Sequence, residues 1–351
     1  MKKQLWLAVL WAPMAVAAFE VQFTPEGPVS SAGGTAGVSG AADPIEGAVS
    51  VPVVDLRRLP EPVSPHAVHR RPYPIDSNQE TQLLFGERVR VLELKKGWLR
   101  VEAVDQFEFS HSNRWQGYPG WVPHDVVTAR PSDFHSVAVV ISRFARMTQT
   151  RKWRSARMDV PMGSRFAVIY TQKDWARVQG PSGEMGWMRL RDLRMDRDAP
   201  KTSEDIREAF LAAARQFLGD RYYWGGRSGH RKKGVVPSGV DCSGLVNVSF
   251  RAVGVNAPRD AFEQHRLARP VEKGADLFPG DLVFLAKKSA PDQVVHVMIF
   301  EKMETLLEAS HDADRVRRIS FKKRVGTQQT DLRSGDVCGD SVVRFGTFFF
   351  Q

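Results

Sequence analysis

Residues 240–246 read Val-Asp-Cys-Ser-Gly-Leu-Val, which is the most informative stretch of the chain. Behind it, Val246, Phe250 and Val253 recur at helical spacing, which places Cys242 at or near the start of a helix. The free amides and the dipole at a helix start favour a thiolate, the nucleophilic form of cysteine. The same amides could hold the oxyanion that forms when an amide carbonyl is attacked. The stretch therefore predicts a thiol nucleophile at Cys242.

Two histidines follow on predicted strands. Residues 294–300 and 305–311 read as strands that are joined by a short polar link. Alternation along a strand puts every second side chain on one face: His296, Met298 and Phe300 on the first strand, and Leu307, Ala309 and His311 on the second. The two histidines can then face the same side. A helix-start cysteine beside a sheet that presents a base and a second polar group to orient it is the arrangement of thiol catalysis.

Upstream of this region, two stretches share short strand-like runs, in which apolar and polar residues alternate, and each stretch ends in a Gly-Trp pair. Residues 88–94 and 117–122 form the first stretch, and residues 165–170 and 186–188 form the second. This ordered correspondence predicts two small β-barrels of one type in tandem. Tyr118 falls in a segment rich in Gly and Pro, which we expect to be a loop between strands and a plausible place for a site residue.

The N-terminus has the pattern of an export signal. A positively charged N-terminal region precedes a mostly apolar run over residues 5–16, and small residues at 15–18 form the expected cleavage site. The run is too short for a membrane-spanning helix, and no later segment is apolar for long enough to cross a bilayer. We expect residues 1–18 to be a signal peptide, residues 19–50 to be a flexible linker rich in Gly, Ser, Ala and Pro, and the mature protein to act in the periplasm or cell envelope.

Composition limits the partners. Fifty Lys and Arg residues against 40 Asp and Glu give a net charge of +10, which favours anionic partners. No phosphate-binding loop or nucleic-acid module is recognisable, so nucleic acid is not expected. Two cysteines, Cys242 and Cys338, exclude a disulfide framework and a four-cysteine zinc site, and we expect neither a metal nor a cofactor. A Cys242–Cys338 disulfide remains an alternative, and it would abolish a thiol enzyme.

The ordered set of motifs resembles the NlpC family of cell-wall cysteine peptidases. Asp-Cys-Ser-Gly-Leu stands at 241–245, His-Val at 296–297 and Ala-Ser-His at 309–311. The resemblance implies a papain-like core with Cys242 as nucleophile, His296 as base and His311 as the third member. The expected fold class is therefore α+β, with SH3-like β domains at 51–130 and 131–198 followed by the papain-like peptidase domain at 199–351.

The resemblance extends to a subgroup with SH3-like domains, the γ-D-glutamyl-L-diamino acid endopeptidases, through residues 76–86 and 117–121. It implies hydrolysis between D-glutamate and diaminopimelate in peptidoglycan stem peptides whose L-alanine amine is free. Two sets of binding residues are implied: Asp241, Glu80 and Tyr118 for the amine, and Tyr222, Ser243 and Asp260 for the dipeptide.

Two other functions stay open on sequence. The first is a wall-binding SH3-like module with an inactive peptidase core, and the second is a thiol amidase or acyltransferase acting on another acyl substrate. A monomer is expected. The basic insertion at 230–239 could guide an anionic wall fragment or be a solvated loop, and the stretch after Arg324 carries no functional prediction.

Overall fold

The computed structural model describes residues 45–63, 73–129, 137–152, 154–231 and 238–349. The described residues fall within one compact unit, Ala42–Gln351. The predicted signal peptide and the predicted linker as far as residue 44 lie outside the described residues. Within the described ranges, no helix is long and apolar enough to cross a membrane.

The first β domain is a seven-stranded antiparallel sheet. Its strands are β1 (Ile45–Val49), β2 (Val53–Arg57), β3 (Gln79–Leu84), β4 (Arg88–Lys95), β5 (Trp98–Glu108), β6 (Gln116–Pro123) and β7 (Val127–Ala129), in the order β3-β2-β6-β5-β4-β1-β7. The linker predicted to end at residue 50 therefore ends earlier, because β1 pairs with both β4 and β7. Because this strand contains Gly47 and Ala48, the alternation of apolar and polar residues typical of a strand is not evident in its sequence.

Tyr118 lies on strand β6 and not in a loop, directly opposite Ala103 of β5. The Gly and Pro content that suggested a loop has a packing cause. A side chain at Gly117 would collide with Glu102 and the backbone of Ala103, and one at Gly120 would collide with Leu56. Glycine here permits close approach of neighbouring strands, and the strand fixes where the Tyr118 side chain points.

The second β domain repeats the first. Its strands are β8 (Val137–Val140), β9 (Phe144–Thr148), β10 (Ala156–Pro161), β11 (Arg165–Gln172), β12 (Trp175–Gln179), β13 (Met185–Arg189) and β14 (Leu193–Met195). Their order, β10-β9-β13-β12-β11-β8-β14, is the order of the first sheet with each strand replaced by its counterpart. The tandem pair of SH3-like barrels predicted from the sequence is confirmed.

The C-terminal domain combines one antiparallel sheet with a few helices, which confirms the predicted α+β class and papain-like core. Its helices are α1 (Ser203–Arg215), α2 (Cys242–Ala252), α3 (Ala261–Leu267) and α4 (Phe321–Val325). The main sheet runs β17 (Arg269–Pro270), β23 (Ser341–Thr347), β18 (Leu282–Lys287), β19 (Ala290–Lys302), β20 (Thr305–Ser310) and β21 (Arg315–Ser320). Strand β22 (Val337–Cys338) pairs with β23, and β15 (Arg227–Ser228) pairs with β16 (Gly239–Val240). Short 3-10 turns lie at His124–Val126, Leu190–Asp192, Asp196–Asp198, Gly274–Asp276 and Gln329–Asp331.

Helix α2 is the central element of this domain, because all of its residues are buried. The Phe250 ring stacks on Phe210 of α1 with centroids 4.0 Å apart. The helix also shares a core with inward side chains of β19 and β20, including Ile299 and Leu307. This packing holds the start of α2, and therefore Cys242, at a defined place beside the sheet.

A buried network of charges joins the three domains. Glu87 of the first barrel pairs with Arg227 at 2.9 Å and with Arg251 of α2 at 3.3 Å. Asp105 on β5 pairs with Arg165 of the second barrel at 3.4 Å and is 3.6 Å from Arg251. Burial would raise the pKa of Asp105, but these guanidinium groups hold it far below its usual range. The first barrel is thereby fixed against the start of the peptidase domain.

Candidate active site

Cys242 is the first residue of α2, and Asp241 caps the helix. The Asp241 carboxylate accepts a hydrogen bond from the Gly244 amide at 2.6 Å. The amides of Cys242 and Ser243 lie in the first turn and have no acceptor within the helix. They are therefore free to stabilise negative charge beside the thiol.

Glycines at 225, 226 and 244 let the chain approach this helix start closely. The Gly225 amide donates to Asp241 at 2.9 Å, and Gly225 has a φ of +73°, in the left-handed region that favours glycine. A side chain at Gly244 would collide with the Gly226 carbonyl oxygen. Glycine at position 244, two residues after the cysteine, is thus required by backbone contact.

His296 on β19 faces Cys242 and is held from its other side by a carboxylate. Its Nε2 donates to Glu308 Oε2 on β20 at 2.8 Å. Burial lowers the pKa of His296, but the charge of Cys242 and hydrogen bonds with Cys242 and Glu308 raise it to about 9. The imidazole therefore carries its proton at neutral pH and can donate it to a leaving group.

The sequence prediction that His311 orients His296 is wrong, because Glu308 occupies that position. At the hairpin turn Lys302 pairs with Thr305, a register that would place His296 opposite His311 if it continued. A β-bulge between Phe300 and Lys302 shifts the register by one residue, so that Phe300 pairs with Leu306. A one-residue shift exchanges the two faces of a strand, which brings Glu308 to the side of His296.

His311 lies at the mouth of the same site. Its ring packs edge-on against Tyr222 with centroids 5.3 Å apart, and its side chain is 40% exposed. Tyr222 is buried near the thiol, and burial together with the charge of Cys242 raises the pKa of its hydroxyl. The two side chains form a wall beside the nucleophile.

Arg259, for which the sequence predicts no role, binds the residues on both sides of the nucleophile. It is fully buried and donates to both oxygens of Asp241, at 3.2 and 2.8 Å, and to Ser243 Oγ at 2.9 Å. Its Nε donates to Thr81 of the first barrel at 2.6 Å. The predicted binding residues Asp241 and Ser243 are therefore engaged by protein groups, and Asp241 acts as a helix cap and arginine partner.

The first barrel brings a second group of predicted residues to the site. The Tyr118 hydroxyl donates to Asp260 at 2.9 Å and contacts Glu80 at 3.3 Å. Burial, which is the largest effect, raises the pKa of Asp260 to about 7. His111, which the sequence analysis missed, lies 3.7 Å from Glu80, and hydrogen bonds with Glu108 and Glu80 raise its pKa to about 10. Two carboxylates and a phenol thus converge where the barrel meets the peptidase domain.

Cys242 and Cys338 are both free thiols, so the alternative of a disulfide between them does not describe this structure. In the described part of the chain, no cluster of three or more His, Cys, Asp or Glu side chains is arranged to hold a metal ion. Of the basic insertion, residues 232–237 lie outside the described residues.

A thiol at a helix start, an imidazole within hydrogen-bonding contact and a buried carboxylate that orients the imidazole define a papain-like thiol hydrolase site. Comparison with known proteins agrees with this class. Residues 219–334 match the NlpC/P60 family, and the chain therefore carries an NlpC/P60 domain.

Two curated relatives are γ-D-glutamyl-L-lysine dipeptidyl-peptidases from Bacillus species. The protein from Bacillus cereus is 28% identical over 63% of this chain and 64% of its own length, and the protein from Bacillus subtilis is 27% identical over 64% and 70%. The chain thus spans about two thirds of the relatives it matches.

A crystal structure of an NlpC/P60 family protein from Bacillus cereus superposes with a TM-score of 0.68. It covers 87% of this chain and all of the solved one, at 21% identity. This similarity supports the three-domain fold.

Proposed function

We propose that this protein is an exported cysteine endopeptidase that hydrolyses the γ-D-glutamyl bond to the diamino acid in peptidoglycan stem peptides with a free N-terminal L-alanine. The observation that carries the proposal is that the Cys242, His296 and Glu308 site lies beside a second cluster, in which Glu80 and Tyr118 of the first barrel meet Asp260 of the peptidase domain. Arg259 links the two clusters, because it binds both Asp241 and Asp260. The curated relatives, whose names specify γ-D-glutamyl-L-lysine, support the choice of bond.

The reaction follows from the site's geometry. The Cys242 thiolate attacks the γ-glutamyl carbonyl carbon, and the amides of Cys242 and Ser243 stabilise the oxyanion. His296 donates its Nδ1 proton to the departing amine, the C–N bond breaks and a thioester remains on Cys242. Water then loses a proton to His296 and attacks the thioester, the C–S bond breaks, and the dipeptide leaves while the Cys242 thiolate and protonated His296 are restored. Glu308 holds the imidazole through Nε2 in every step.

The free-amine requirement rests on charge and on closure. Arg259 pairs with Asp241 at 2.8 Å and with Asp260 at 3.5 Å, and His111 pairs with Glu108 at 3.0 Å and with Glu80 at 3.7 Å. Two cationic side chains thus face four carboxyl groups, and the surplus of negative charge can attract an ammonium group. Because Tyr118 and Glu80 come from the first barrel, that domain limits the space available beyond the amine. An N-acyl group would remove the positive charge and add bulk in the same place.

Mass spectrometry of four peptides tests the proposal: L-Ala-γ-D-Glu-diaminopimelate, the same peptide with L-lysine in third position, and the N-acetylated copy of each. We expect L-Ala-γ-D-Glu to be released from the free-amine peptides by the wild type and not by Cys242→Ala. Cleavage of the acetylated peptides at equal rates would remove the amine pocket from the proposal. Cleavage of none would favour the wall-binding module or a thiol amidase.

Export is proposed from the N-terminal pattern alone. N-terminal sequencing of the protein recovered from the cell envelope would test it, with a new N-terminus at Ala18 or Phe19 expected. A cytoplasmic protein that retains Met1 would contradict it.

A further inference from the structure

The carboxylate that orients His296 has two more partners, and both are arginines. Arg317 lies directly opposite Glu308 on the neighbouring strand β21 and donates to Oε1 from Nε at 2.9 Å and from Nη2 at 2.8 Å. Arg324 of α4 donates from Nε to Oε2 at 2.9 Å, the oxygen that also accepts from His296. The Glu308 side chain is fully buried, so these groups define its surroundings.

We propose that Arg317 and Arg324 are positioning residues that hold the Glu308 carboxylate in the orientation that His296 requires. This inference rests on the proposed function, because it concerns the base of the same thiol reaction. The two arginines touch neither the thiol nor the space for the scissile bond, and they act through Glu308.

The physical reason is that a buried glutamate needs more than one imidazole to stay ionised and in place. Burial would raise the pKa of Glu308, but hydrogen bonds and charge from His296 and Arg324 lower it to about 2. A glutamate can rotate about three side-chain bonds, and an arginine donor on each oxygen, two nitrogens of Arg317 on Oε1 and one of Arg324 on Oε2, removes that freedom. The carboxylate then remains a fixed acceptor for the Nε2 proton of His296.

The same sheet contains a second buried glutamate that binds two arginines, and it serves as a matched control for Glu308. Glu301 on β19 is also buried, and Arg215 and Arg318 bind it with donor–acceptor distances of 2.6 to 2.7 Å. Within the described residues, its ion pairs are with these two arginines. Arg318 adjoins Arg317 in sequence, so Arg318→Gln removes an equivalent arginine–glutamate pair away from His296.

Loss of an arginine should move the pH dependence of the reaction in a defined direction. The groups that act on His296 directly are Cys242 from α2 and Glu308 from β20. Arg324→Gln removes an effect that lowers the pKa of Glu308, so this carboxyl becomes protonated at higher pH. A protonated Glu308 no longer accepts the His296 proton. We therefore expect the acid limb of kcat/KM to move to higher pH, with a fall of about tenfold in kcat and little change in KM.

The experiment compares Arg324→Gln, Arg317→Gln and Arg324→Lys with Arg318→Gln, all in a Cys338→Ser background. Two readouts are taken against pH: peptide kcat/KM, and the rate of Cys242 alkylation by iodoacetamide, normalised to the folded fraction from circular dichroism. Both profiles should move in the two Gln variants and not in Arg318→Gln. Arg324→Lys keeps the charge, so it should keep the acid limb while losing part of kcat.

Profiles of Arg324→Gln and Arg317→Gln that superpose on that of Arg318→Gln would overturn the inference. Should Arg324→Gln fail to fold, Arg317→Gln decides the question by the same readouts. The alkylation profile needs no substrate. A wild-type protein that cleaves none of the peptides would therefore refute the proposed function, while the effect of Arg317 and Arg324 on the site could still be measured by alkylation.

Discussion

Replacing Glu308 with glutamine tests the chemical assignment of the third member of the site. The substituted glutamine would keep the size of the side chain but lose its charge. The wild-type bond joins His296 Nε2 to Glu308 Oε2 at 2.8 Å, and the histidine side chain is only 15% exposed. A hydrogen bond to a charged group contributes about 1.5–3 kcal/mol. At about 1.4 kcal/mol per tenfold change, kcat/KM should fall about 10- to 150-fold.

Glu308→Gln should also change the pH dependence of kcat, in a direction that the pKa of His296 defines. Glu308 contributes both a hydrogen bond and a charge to the high pKa of His296, about 9 in the wild type. Without them the imidazolium loses its proton at lower pH, so the alkaline limb of kcat should move down from about 9. Since Cys242 also raises this pKa, the shift should be partial.

Steady-state kinetics from about pH 5 to 10 on the free-amine tripeptide measures both effects, with Glu301→Gln as the matched control. Glu301 is equally buried and holds two arginines, but it lies away from the thiol. Thermal unfolding of both variants separates lost folding from lost chemistry. Activity of Glu308→Gln within about threefold of wild type, or an equal loss in Glu301→Gln, would refute the reasoning. His311→Gln should cost less kcat than Glu308→Gln.

The surroundings of the site lead to three further predictions. Because burial raises the pKa of Asp260 to about 7, KM for the free-amine peptide should rise as pH falls from about 8 to 6, and Asp260→Asn should remove this dependence in steady-state assays. Glu87→Gln leaves buried Arg227 without its charged partner, so urea unfolding should show a loss of about 3–5 kcal/mol; a loss below about 1 kcal/mol would contradict the network's role. His111 is cationic at neutral pH beside Glu80, so His111→Gln should lower KM for the free-amine peptide. An unchanged KM would show that the His111 imidazolium and the substrate ammonium do not compete for Glu80.

Much of the architecture could be predicted from local patterns. The tandem barrels follow from two similar series of alternating strands, and the sheet orders match strand for strand. The helical spacing after Cys242 predicts a helix start there, and Cys242 is the first residue of α2, which Asp241 caps. Such features depend on neighbours in sequence, so a reader of the sequence can find them.

The predicted binding residues were less certain because their surroundings come from distant parts of the chain. Glu80, Tyr118 and Asp260 do meet, although 142 positions separate the last two. Asp241 and Ser243 instead face Arg259, whose role depends on contacts that no local pattern contains. The sequence identified the residue types that could bind an amine, and packing decided which of them are occupied by protein partners.

The candidate nucleophile, the histidine that faces it and the order of the three domains can be derived from the amino-acid sequence. The partner of that histidine depends on how the strands pair. A single bulge near Glu301 shifts β19 against β20, so Glu308 and not His311 reaches His296. Strand alternation has a period of two, and one extra residue therefore reverses every assignment of face beyond it. Arg324 meets Glu308 for a related reason, since its position is set by how α4 packs and not by its distance along the chain.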